Sequence, residues 1–106
     1  MLTIEDRVTN LNKAYTTLNT LTKTASKSEI KKVAGIVHGI AKDEKNSIVF
    51  SDNEPHIIPC KLLNVIESTY ALKSCSSWKE RKMKLWVMYA KENLVEYINQ
   101  LEKERL

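Results

Sequence analysis

Three times along this chain a Ser or Thr is followed three residues later by an acid, and then by apolar residues spaced four and three apart: Thr3/Asp6, Ser26/Glu29 and Ser77/Glu80. In such a pair the hydroxyl and the acid satisfy amide groups that the first helical turn leaves open, and the acid also suits the positive end of the helix dipole. Pro59 marks a fourth start, since its fixed φ and missing N–H suit a first helical position. Only two glycines and two prolines interrupt the 106 residues. The pattern predicts helices over 3–24, 27–45, 59–75 and 77–105, an all-α four-helix bundle with a long C-terminal helix. At this length one hydrophobic core is expected, hence a single domain over residues 1–106.

Apolar spacing supports each helix. Ile4, Val8, Leu11, Tyr15 and Leu18 form one stripe on the first. Ile30, Val33, Ala34, Val37, Ile40 and Ala41 give the second its core face. The third spreads Leu62, Leu63, Val65, Ile66, Tyr70 and Leu72 over about half its circumference and is expected to be the most buried. The fourth, on the order of 43 Å long, carries Met83, Val87, Ala90, Leu94, Tyr97 and Leu101, flanked by Trp86 and Ile98. Thr-rich residues 16–24 are expected to fray, because Thr loses χ1 freedom in helices. Residues 46–58 admit either a short β-hairpin capping the bundle or an irregular loop with its apolar residues tucked inward. The loop is expected.

No stretch reaches the ~20 apolar residues of a membrane helix, and Met1-Leu2-Thr3-Ile4-Glu5-Asp6 lacks a basic stretch leading into an apolar one. Cys60 and Cys75 fall at opposite ends of the third helix, about 22 Å apart by helical rise, too far for a disulfide. Reduced thiols and a cytoplasmic, intracellular setting follow as expectations. Catalysis finds little support. His38 and His56 have no Cys or carboxylate at metal-ligand spacing, Arg7, Arg81 and Arg105 are scattered, and there is no Gly-rich phosphate loop or nucleophile elbow. Neither enzyme activity nor a metal or cofactor is expected.

The net charge is +4, yet residues 73–91 alone carry +5: Lys73, Lys79, Arg81, Lys82, Lys84 and Lys91 against Glu80. Such concentration suits a polyanion. On the fourth helix Trp78, Leu85 and Tyr89 share one wheel direction roughly opposite the core stripe, bordered by Arg81, Lys82 and Glu92. Something must cover this second row: the loop before the third helix, a homodimer seam, a stacked base or a docked protein. On the second helix Gly35 and Gly39 lie four apart beside Lys31, Lys32, His38 and Lys42. Each glycine costs about 1 kcal/mol relative to Ala, so either another helix packs closely there or a partner backbone approaches. These features point to a non-enzymatic protein binding nucleic acid through backbone contacts, with Lys31, Lys32, Lys42, Lys79, Arg81, Lys82 and Lys84 as phosphate contacts. The rival is a protein-binding module, such as a small inhibitor or immunity factor, docking through the Trp78/Leu85/Tyr89 row. A homodimer, or a subunit of a complex, is expected in either case.

Overall fold

The structure, a computed structural model, describes residues 3–49, 57–75 and 77–104. It contains α1 (Ile4–Asn19), α2 (Lys27–Val49), α3 (Cys60–Ser74) and α4 (Glu80–Glu104) and, among the described residues, no strand. Each helix packs on its successor and α4 closes the ring on α1, leaving α1 and α3 on a diagonal. Cross-helix bonds fix the directions. Arg7, early in α1, reaches Glu44, late in α2, and Tyr97, late in α4, while Asn64 of α3 meets Asn93 of α4. The four helices therefore run up, down, up and down around a body 42 × 21 × 18 Å in extent.

Two of the three capping signatures act as expected. Asp6 N donates to Thr3 Oγ1 at 3.0 Å and Thr3 N to Asp6 Oδ2 at 3.3 Å, a complete capping box. Glu29 N donates to Ser26 Oγ at 3.2 Å, and the Ser26 hydroxyl turns to the Glu29 carboxylate. The third signature fails: Ser77 lies outside α4, which starts at Glu80 with Lys79 O accepting from Met83 N. Pro59 caps α3 rather than opening it, with ψ 139° and its carbonyl accepting from Leu63 N.

The helix ends also move. α1 stops at Asn19, where the Thr20 hydroxyl turns back to the Thr17 carbonyl and competes with further helix. The following segment is ordered by a contact between Thr22 and Thr24 and sends Ala25 into the core. α2 runs on to Val49, so Asn46 to Val49 are helical and not part of the expected connection. The rest of that connection, including Phe50 and His56, lies outside the described residues up to Ile57, which is 75% exposed.

The core stripe of α4 is buried as its spacing implies, from Met83 through Val87, Ala90, Leu94 and Tyr97 to Leu101. On α3 the buried arc is narrower than expected. Leu62, Val65, Ser68, Thr69 and Leu72 fill it, and Tyr70 is 57% exposed. Ser68 and Thr69 enter the core because each hydroxyl donates to the Val65 carbonyl one turn earlier, which removes the cost of an unpaired buried donor. No described buried side-chain polar atom lacks a partner.

One ion pair is interior. Glu44 accepts from Arg7 Nε at 3.1 and 3.0 Å, from Arg7 Nη2 at 2.6 Å and from the Tyr97 hydroxyl at 2.5 Å. The carboxylate holds the guanidinium charged well above its ordinary range. Burial first, then the same carboxylate, push the Tyr97 phenol well up. Both shifts favour the protonated forms, which are the forms that donate to Glu44. Glu44→Ala strands a largely buried guanidinium and should cost about 3 kcal/mol in urea denaturation, whereas Arg7→Met/Glu44→Met should cost much less. A single variant no more harmful than an average surface change would contradict this role.

Candidate functional site

Cutting the bundle across its middle, at the level where His38 of α2 meets Thr69 of α3, separates two ends of opposite charge. One end holds the α1–α2 and α3–α4 connections. Its residues 12–37 carry five lysines against Glu29, and residues 68–91 carry five lysines and Arg81 against Glu80, a net charge of +9. The other described residues, 3–11, 38–49, 57–67 and 92–104, carry −4. The 42 Å long axis is several times the ~8 Å Debye length at physiological salt, so a ligand meets the two ends as separate electrostatic surfaces.

Within the basic end, α3 is the centre of a continuous face. On one side His38 of α2 places Nδ1 3.1 Å from the Ile66 carbonyl and 3.2 Å from Thr69 Oγ1. The Thr69 hydroxyl already donates to Val65 O, so the ring nitrogen is the donor. The exposed Tyr70 ring lies 5.8 Å from the His38 ring, and Lys73 Nζ stands 5.8 Å over Tyr70. Lys31, Gly35 and Lys42 share the His38 edge of α2 by helical spacing.

On the other side Asn64 Nδ2 donates to Asn93 Oδ1 at 3.0 Å, which marks the edge of α4 that faces α3. Tyr89, Trp86 and Lys82 stand four, seven and eleven residues before Asn93, on that same edge. There the Trp78 and Trp86 rings pack tilted by 37° with centroids 5.4 Å apart, Trp86 meets Tyr89 edge-on at 5.8 Å, and Lys82 Nζ lies 4.3 Å over the Trp78 ring. The rings are tilted against one another and Lys82 lies over the Trp78 face, so the cluster joins apolar rings to a cation at one surface, the pairing that meets a base beside a phosphate.

The expected contact residues divide over three surfaces. Lys31, Lys42, Lys79 and Lys82 border the α3-centred face. Lys32 and Arg81 are exposed on the outer sides of α2 and α4. Lys84 turns toward α1, donating from Nζ to the Lys23 carbonyl and tying the α1–α2 connection to α4. The close-packing explanation of the glycines does not hold, because a Cβ at Gly35 or Gly39 would meet no heavy atom within 4 Å. Both positions are bare backbone facing open space beside the lysines. The second α4 row is also revised. Trp78 leaves it to pack on Trp86, and Met88 takes its place, so the exposed residues are Leu85 at 60%, Met88 at 56% and Tyr89 at 42%.

Sequence reasoning missed Tyr70, placed in the core, and Lys73 as its partner, and gave His38 no partner on α3. The signal available was an aromatic at the edge of the core arc with a lysine three residues on. No group of His, Cys, Asp and Glu able to hold a metal occurs among the described residues. Cys60 and Cys75 are free, and no described helix is long and apolar enough to cross a membrane. No family model matches the chain, and neither a curated protein nor a solved structure matches it.

His38 also makes this face sensitive to pH. Partial burial first, then Lys73 and Lys42, lower its pKa from the ordinary 6.5, against the opposing effect of the Ile66 carbonyl. A histidine depressed in the fold binds its proton more readily when unfolded, so its contribution is present above the ordinary value and lost as pH falls through it. Urea midpoints should therefore drop between pH 7.5 and 5.5 more steeply for the native chain than for His38→Gln. Parallel pH profiles would contradict the assignment.

Proposed function

We propose that this chain is a non-enzymatic nucleic-acid-binding protein that grips the phosphate backbone with the α3-centred face of its basic end. The observation that carries the reading is the separation of +9 from −4 along the described bundle, with two aromatic–lysine clusters on the positive end. Lys31, Lys73, Lys79 and Lys82 serve as phosphate contacts. Tyr70 and the Trp78/Trp86/Tyr89 group supply stacking surface, and Gly35 leaves room for a backbone to approach α2. A lysine at such a site needs no fixed partner geometry, so binding is driven by counterion release and reads little sequence. A reduced, cytoplasmic setting belongs to the same reading and is supported by the two free cysteines.

A second reading rests on the exposed α4 row of Leu85, Met88 and Tyr89, whose apolar area suits a docked protein, as in a small inhibitor or immunity factor. The two separate on salt. Four phosphate contacts give a slope of log affinity against log salt of about −3, whereas an apolar docking face is nearly salt-independent.

Lys79→Glu/Lys82→Glu should abolish retention of single- and double-stranded oligonucleotides at ~50 mM salt without unfolding the chain, and Lys103→Glu at the acidic end should not. Tyr70→Ala should weaken single-strand binding by about 1 to 3 kcal/mol. Absence of any retention by the native chain would transfer the basic residues to the rim of a protein-docking surface.

A further inference from the structure

The outer side of α4 carries a pattern that neither the core nor the nucleic-acid face uses. Arg81, Leu85, Met88 and Glu92 follow one another at intervals of four, three and four, which aligns them in a single row along the helix. All four are exposed, Leu85 by 60% and Met88 by 56%. The ion pairs Arg7–Glu44 and Lys61–Glu96 involve neither Arg81 nor Glu92.

The row is its own complement when reversed. A two-fold axis between residues 86 and 87 exchanges position 85 with 88 and position 81 with 92. Two copies of α4 laid antiparallel then place Leu85 of each over Met88 of the other. Arg81 of each meets Glu92 of the other, once at either end of this apolar centre. The four-three-four spacing is that of alternating a and d positions in an antiparallel helix pair. A foreign partner has no need of this symmetry, whereas an isologous contact between copies requires it.

From this pattern we infer that the chain forms a homodimer through an antiparallel α4–α4 seam centred on Leu85 and Met88 and closed by two Arg81–Glu92 pairs. The seam is centred opposite the buried stripe of α4, about a quarter-turn from Asn93, Trp86 and Lys82, and Tyr89, which lines a surface pocket with Leu85 and Trp86, borders it. It sets the two basic ends side by side and the acidic ends apart. Repulsion between the basic ends opposes association at low salt, and added salt relieves it. The inference is independent of the nucleic-acid reading and is tested without nucleic acid.

The test is sedimentation equilibrium at ~0.3 M salt, where repulsion between the basic ends is largely screened. The native chain should dimerise in the micromolar range, and Leu85→Ser/Met88→Ser should be monomeric with an unchanged circular dichroism spectrum. Arg81→Glu should weaken the dimer about tenfold by facing Glu92 with a second acid, although it lowers the net positive charge that drives the copies apart. Arg81→Glu/Glu92→Arg should return the dimer to within about threefold of the native chain, because the pair is restored in reverse. A native chain still monomeric at about 0.5 mM, a point at which even a weak specific dimer is populated, overturns the inference and assigns the row to a different protein. An Arg81→Glu/Glu92→Arg variant that dimerises no better than Arg81→Glu overturns it as well.

Discussion

Glu44 decides how this bundle is put together. It stands near the end of α2, inside the protein, where a lone carboxylate would be intolerable, and its oxygens take donors from the start of α1 and the end of α4. A one-turn slip of any of these helices would leave a guanidinium, a carboxylate or a phenol without its partner, while apolar residues tolerate such slips far better. The pair is therefore best understood as a register device. Fixing these three helix ends together sends the α1–α2 connection, the start of α4 and the end of α3 to the opposite pole. The lysines of those segments, distant in sequence, thereby gather at one end of the bundle, though not on one surface.

Electrostatics and packing then work at different scales. Polarisation along the long axis concerns encounter: an extended polyanion is drawn to one end and repelled by the other. What it would find there is local, namely Tyr70 against His38 and Lys73, and Trp78 against Trp86 and Lys82. Aromatic rings of this size are normally turned inward. Trp78 and Trp86 are partly buried against the core, whereas the exposure of Tyr70 next to Lys73, on a face where Gly35 leaves the backbone bare, is the feature that a purely structural account of the bundle does not require.

The helices were largely legible in the sequence because amphipathic spacing and capping are local. Thr3/Asp6 and Ser26/Glu29 form their caps from residues three apart, and the α4 stripe from Met83 to Leu101 is buried as its period implies. Errors arise where a distant partner decides. Ser77 has the capping spacing to Glu80 but lies three residues before the helix start, and Lys79 takes the cap position. Tyr70 looks like core until Ser68 and Thr69, paired to the Val65 carbonyl, take up the arc it was assigned. Glu44 reads as one more surface acid, because nothing near it in sequence announces Arg7 or Tyr97. The candidate site was legible as composition, a basic run with aromatics, but not as a surface. Lys84 and Lys82 are two residues apart and face different neighbours, and the role of Lys73 depends on where α3 sits between α2 and α4.

The central claim, that the basic end engages nucleic acid through the α3-centred face, is tested most directly by mapping the contact surface. Backbone amide shifts of the labelled protein should be followed while an oligonucleotide is added at low salt. The account predicts that the largest changes fall together on Lys31 to His38, Tyr70 to Lys73 and Trp78 to Tyr89, with the residues around Arg7, Glu44 and Tyr97 unmoved. Changes confined to the acidic end, or scattered without regard to this face, would contradict it.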